Sequence, residues 1–399
     1  MAALLVVAPS PDAFEARASD LIRAYSGEGH HRTATAVDRA SANTLLARAR
    51  ATGVSVSLEP FDLSRVDTAA AFIQIDGRRI DGLPMFDGAF TGAEGVRGRI
   101  GPIDGDQPIA WTRIPPNGEA ALRRLRDGSR QAAIVAVTLG AKPGLCPVNA
   151  AWFSAPFGPP VLQVSSEHLE TIEAAAASGA DIQVVAHATR KAARAFNIVA
   201  EIRGADPALA PVCVMTPRSG WHANASERGG GLVCWLETMR AVKHPAVADL
   251  SRSATLPRTV RFIASSGHEL GHLGLHDYLH RHPALAREAL AWIHFGANIG
   301  TSTGDIGMTP SDDGLRDAAL GALQPHGFGT IRQSRAAQVF GEAGTISEKG
   351  GRFVSFIGAN EWFHNPRDLW PEAVDLPAIA RFARATADLT VSLASTPAQ

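Results

Sequence analysis

The residues best suited to chemistry lie in the run His268-Glu269-Leu270-Gly271-His272. It matches HExxH, in which two histidines one helical turn apart hold zinc and the Glu activates water. That chemistry needs the five residues on one helix, with both imidazoles on the same face. Here the strand-like run RTVRFIASSG leads straight into the motif, and Gly267 and Gly271 work against a regular helix through it. Two other readings stand beside the zinc-helix one. One takes the histidines as polar residues satisfied locally at a helix start. Alternatively, His268 and Glu269 form a site at the carboxyl end of a strand, where open α/β sheets gather their functional groups.

A second segment, MTPRSGWHANASERGGG over 215–231, also follows a strand-like run, PVCVM. It carries Thr216, Arg218, His222, Glu227 and Arg228, then three glycines opening a helix whose amide groups suit an anion. It has neither GxGxxG nor GK[ST], so a nucleotide site is not expected. The third segment is Glu361-Trp362-Phe363-His364-Asn365-Pro366-Arg367-Asp368, where Asn-Pro holds His364 in a turn. Taken alone, His364 is as compatible with a structural role as with metal ligation.

The elements around these segments alternate. NIVAEIRG, PVCVM, RTVRFIASSG, LAWIHFGANIG and FVSFIG read as strands, separated by helical stretches such as GGGLVCWLETMRAV and PEAVDLPAIARFARATADL. Crossovers of that length imply an α/β fold with a mainly parallel, twisted sheet. Residues 12–26 and 36–52 have helical spacing, whereas 62–130 are rich in Gly, Pro and Asp with short strand-like runs. The expected organisation is a main unit of 1–60 plus 190–399, interrupted by a β-rich insert over 61–189. The 399 residues are 45% hydrophobic and 19% charged, with a net charge of -1. That composition fits a globular enzyme, and gives no electrostatic reason to expect nucleic acid or a membrane as partner. Three cysteines, Cys146, Cys213 and Cys234, are too few for a disulfide framework. With no basic residues before the short apolar run at the start, a cytoplasmic protein is expected, with homo-oligomerisation left open.

In order along the chain, these features resemble the M28 zinc metallopeptidases. NIVAEIRG is similar to that family's strand N-[VI]-[VI]-A-E, and TVRFIASSGHELGHLGLHDYL to its segment ending E-E-x-G-L-x-G-S. WFHNPRDLWPEAVD is similar to its Y-H-[TS]-x-x-D motif, and the stretch from about 70 to 188 resembles the protease-associated domain often inserted in it. The resemblance implies the family's phosphorylase/hydrolase-like fold and its two-zinc site, here altered. Its first-loop His falls on Thr216, and the Asp two residues on falls on Arg218. The bridging carboxylate falls on Glu227, with Arg228 one position away, and the later Asp falls on Ala297. The general-base Glu falls on His268, its neighbouring ligand on Glu269, and the last His on His364. One zinc position thus loses two of its three ligands. The other keeps Glu227, Glu269 and His364.

The resemblance therefore implies about one zinc per chain on that trio, with His268 taking a proton and Arg218 holding a positive charge near the vacated position. The expected reaction is hydrolysis of an amide or peptide-like bond in a small-molecule or peptide-like substrate. Two alternatives remain: an inactive binding protein on the same scaffold, and an HExxH-type zinc peptidase using His268 and His272.

Overall fold

The computed structural model describes residues 11–245, 255–302, 304–334 and 339–397. Its strands are β1 (Val56–Ile75), β2 (Arg78–Pro84), β3 (Val96–Pro102), β4 (Ile109–Ile114), β5 (Ala133–Thr138), β6 (Val161–Ser165) and β7 (Asp181–Ile202). They continue with β8 (Val212–Pro217), β9 (Val260–Ser265), β10 (Ala291–Phe295), β11 (Ile306–Pro310), β12 (Arg332–Gln333) and β13 (Phe353–Gly358). The helices are α1 (Pro11–Gly27), α2 (Ala36–Arg50), α3 (Glu119–Arg126), α4 (Leu169–Ser178) and α5 (Gly229–Lys243). After them come α6 (Leu273–Arg281), α7 (Leu285–Glu288), α8 (Asp313–Leu323), α9 (Glu342–Glu348) and α10 (Leu376–Ala394).

The order β7-β9-β8-β10-β13-β11-β12 forms an open sheet in which β9, β8, β10 and β13 run parallel and β7 and β11 antiparallel. Of these parallel strands, VCVMTP and AWIHF are buried along their whole length and β9 and β13 at all but one residue each, as a sheet covered on both faces requires. Helices α1, α2, α5, α8 and α10 pack on one face over a core that includes Leu21, Leu45, Trp235, Phe262 and Phe382. Helices α6, α7 and α9 cover the other through Leu275, Tyr278, Leu285 and Ile346, in one cluster with Trp292 of β10. The glycines that open α5 belong to this packing: a Cβ on Gly230 would sit 1.8 Å from the Ile299 carbonyl oxygen.

β1 and β7, 20 and 22 residues long, pair antiparallel almost throughout. They run out of the open sheet to meet β2 and β3, and the pairings β1-β2-β6-β5-β4-β3-β7-β1 close a circuit with its own apolar core around Ile73, Val135, Leu162 and Val184. No helix among the described residues is long and apolar enough to cross a membrane. The three cysteines are buried thiols.

Between β5 and β6 the chain makes a long excursion, 139–160, which lies over the carboxyl ends of the open sheet's strands. The Pro147 carbonyl accepts from His364 Nδ1, Leu145 O from His222 Nε2, and Asn149 Oδ1 from Trp221 Nε1. Ala150 N donates to Glu269 O, and Asn365 Nδ2 to the carbonyls of Lys142 and Pro143. The excursion is held from behind by a fully buried ion pair, Arg126 Nη1 to Asp87 Oδ1 at 2.6 Å. Asp87 Oδ2 accepts from Trp152 N, and Arg126 Nη2 donates to Phe157 O. Removing one partner of such a pair strands a buried charge, so Asp87→Ala should destabilise this part by about 3–5 kcal/mol. Limited proteolysis should then cut within 142–160 at a protease dose that leaves the parent intact; unchanged cleavage would show that the segment is held by other means.

Candidate metal centre and active site

Three loops converge at the carboxyl ends of β8, β9 and β13. The first, 218–228, is shaped by Asp368, which receives hydrogen bonds from Ser226 N (2.8 Å), Ser226 Oγ (2.6 Å) and Glu227 N (2.9 Å). Burial raises the Asp368 carboxyl to about 7. This network presents Glu227 inward, fully buried. The Arg228 guanidinium, also fully buried, lies against it with Nη2 2.7 Å from Glu227 Oε1, while Nε donates to Ser219 O. His364 Nε2 stands 3.5 Å from the same carboxylate oxygen. Burial alone would raise the Glu227 carboxyl, but Arg228 and His364 outweigh it and hold it far below the usual carboxylate range.

Glu227 and His364 are therefore brought together, as the sequence leads one to expect, but Glu269 is turned elsewhere. Its Oε1 accepts from Thr33 N and its Oε2 from Ser219 Oγ, each at 2.7 Å. Arg218 also points away. Its Nη1 pairs with Asp38 Oδ1 at 2.8 Å and its Nη2 donates to Phe196 O. The guanidinium facing Glu227 belongs to Arg228, ten residues further on. Thr216 Oγ1 bonds the neighbouring Pro217 carbonyl, and Ala297 is buried and apolar.

The second group is built on the histidines of the HExxH run. Residues His268–Leu270 form one 3-10 turn, and α6 starts only at Leu273, so the motif is not on a single α-helix. Gly267, Gly271 and His272 all have positive φ, at 90°, 73° and 60°. That turn swings His272 back beside His268, their ring centroids 5.3 Å apart. Opposite them stands Glu342, the first residue of α9. Its Oε1 is 2.9 Å from His268 Nδ1, and its Oε2 is 3.3 Å from His294 Nε2. His294 Nδ1 in turn meets Ser355 Oγ at 2.8 Å.

Among the described residues, the group of His, Cys, Asp or Glu side chains with metal-ligand spacing is His268, His272 and Glu342. One ligand atom from each lies within 4.8 Å of the others. Burial lowers the His268 imidazole to about 4, with Arg228 adding to it, and the two histidines help hold the Glu342 carboxyl well below its ordinary value against the effect of burial. His268 and His364 were both marked by the sequence. Glu342 and His294 were not: GEAGTISEKG carries no motif, and Glu342 is 74 residues from His268.

The donor chemistry decides where a zinc fits. Two imidazoles and a carboxylate form one of the ligand sets of catalytic zinc, and His268, His272 and Glu342 supply it. His294, on the second Glu342 oxygen, orients that carboxylate as outer-shell partners do. The Glu227–His364 position fits poorly, because a fixed cation already neutralises its carboxylate and Glu269 is engaged elsewhere.

Two histidines in the surrounding loops predict the acid response. Burial lowers His31, stacked on Tyr25 with ring centroids 3.7 Å apart, to about 3, and His222 to about 4. Both titrate near 6.5 when unfolded. Their contribution to stability is thus complete above pH ~6.5 and is lost as pH falls toward 4 and then 3. The slope from these two should reach about 2.7 kcal/mol per pH unit between pH ~6 and ~4. Urea titrations across that range should show it, and His31→Asn should flatten it; a stability independent of pH there would refute the assignment.

No family model and no curated protein matches the sequence. Solved structures do match its fold. A Peptidase M28 precursor from Shewanella amazonensis superposes with a TM-score of 0.74 at 16% identity, over 98% of this chain and 97% of that one. A zinc aminopeptidase from Bacillus subtilis gives 0.72 at 16% identity, over 96% and 94%. An aminopeptidase from Aneurinibacillus sp. strain AM-1 gives 0.68 at 14% identity, over 93% and 92%. The chain therefore has the M28 aminopeptidase-like fold, a mixed α/β architecture with a mostly parallel central sheet flanked by helices.

Proposed function

We propose that this protein is a metal-dependent hydrolase of amide or peptide-like bonds that holds one zinc on His268, His272 and Glu342. The observation carrying this reading is the convergence of those three side chains, from two separate segments, at the carboxyl end of the sheet of a peptidase fold. Zinc bound there would supply Lewis-acid polarisation of a carbonyl and activation of water. Arg228 sets a fixed positive charge close enough to depress the His268 imidazole, and such a charge stabilises negative charge developing on a substrate oxygen. The 142–160 segment keeps bulk water from the Glu227 end, which strengthens these electrostatics. His272 is only half-buried and gives the histidine end its contact with solvent. His268, which the family resemblance casts as proton acceptor, serves in this reading as a ligand.

A second reading, a binding protein without turnover, is favoured by the Glu227–Arg228 ion pair and by the apolar Ala297 at a family ligand position. The two separate in one experiment. Zinc-loaded protein is assayed against aminoacyl anilides, primary carboxamides and N-acyl amino acids, alongside Glu342→Gln. Turnover that falls at least about 100-fold in the variant is the expected result. Zinc bound without turnover of any amide would leave the binding protein.

A further inference from the structure

Five polar atoms at the Glu227 end are buried without a directed hydrogen bond: both carboxylate oxygens of Glu227, both Nη atoms of Arg228 and Nε2 of His364. They belong to one place, since Arg228 Nη2 and His364 Nε2 lie 2.7 and 3.5 Å from the same Glu227 oxygen. Neighbouring polar groups are by contrast bonded: Arg228 Nε to Ser219 O, His364 Nδ1 to Pro147 O, and the Asp368 carboxylate to the 226–227 turn. The scaffold therefore fixes these side chains through their far ends and leaves their near ends facing one another. Leaving a buried polar atom unbonded costs about 1–3 kcal/mol, and Glu227 Oε2 and Arg228 Nη1 lie outside even that ion pair, so the place calls for a complement that both donates and accepts.

Charge selects that complement. Glu227 and Arg228 sum to zero, so an ammonium gains from the carboxylate what it loses to the guanidinium, and a carboxylate the reverse. A neutral planar group carrying N–H donors beside a carbonyl acceptor meets neither penalty. We propose that Glu227, Arg228 and His364 form a receptor for an uncharged carboxamide or urea-type group, with Glu227 accepting its N–H and Arg228 donating to its carbonyl oxygen. Within the hydrolase reading, on which turnover but not binding rests, this assigns a substrate bearing a neutral amide rather than a free α-amine.

The test needs no turnover. The full chain, with and without added zinc, is labelled at histidine with ¹³C, and the His364 resonance, assigned with His364→Asn, is followed during titration with acetamide, acetate and methylammonium. Acetamide should produce a saturable shift at concentrations about tenfold below those at which either ion acts. Glu227→Gln, which keeps the shape and leaves Arg228 uncompensated, should invert the preference to acetate; circular dichroism confirms that it is folded. Saturation by none of the three probes would assign the place to internal water and overturn the proposal, as would an acetate preference in the parent or an unchanged order in Glu227→Gln. The hydrolase reading can fail separately, by absence of zinc or turnover, while acetamide still saturates.

Discussion

Purified without chelators and given zinc, the protein should carry about one zinc per chain, and His272→Ala should carry almost none. The three proposed ligand atoms stand on two segments, two on the turn after β9 and one at the start of α9. Ligation therefore ties these segments together in the folded state only. At free zinc about 100-fold above its dissociation constant, that stabilises the fold by about 2.7 kcal/mol. For a chain this long, the transition should rise by about 3 °C. Glu342→Gln and His268→Ala should abolish the shift as His272→Ala does. Glu227→Gln and His364→Asn should keep it, because those residues face Arg228 and each other. The opposite pattern, zinc lost with Glu227 and His364 and retained without His272, would move the metal to the position the family resemblance implies. Metal analysis and differential scanning calorimetry on the five variants decide it.

The second large effect concerns Arg218. Its guanidinium is 1% exposed and its partner Asp38 is 2% exposed, so this pair is structural by burial as well as by direction. Asp38 does more than neutralise it: Oδ1 also accepts from Ser266 Oγ and Oδ2 from Ala34 N, joining the α2 region to the β9 turn that carries His268. Asp38→Ala leaves Arg218 without its carboxylate and should cost about 3–5 kcal/mol, read from the urea midpoint. Asp38→Asn, which keeps an acceptor, should cost clearly less. If Arg218→Met instead removed turnover while leaving the urea midpoint unchanged, Arg218 would belong to the chemistry and Arg228 would lose its special place.

Much of the fold was legible because periodicity is local. The largely apolar runs of β8, β9, β10 and β13 read as strands covered on both faces, and the helical spacing between them implied crossovers. The loops that hold the candidate site were legible too, since they follow strand ends. His268, Glu227 and His364 all lie there, and Glu227 and His364 do meet.

What the chain order could not convey was direction. Arg218 and Arg228 have the same side chain in the same loop, and nothing in their spacing says which faces inward; Asp38, 180 residues from Arg218, decides it. Glu269 sits beside His268 in sequence, yet Thr33 N and Ser219 Oγ hold it away. Glu342 carries no motif, but α9 sets it against His268 and His272. By itself the sequence determined the architecture and the loops in which chemistry would lie, because burial and periodicity act between near neighbours. The tertiary structure alone decided which side chains share a site, because buried charges and hydrogen-bonding groups must find partners wherever the fold brings them.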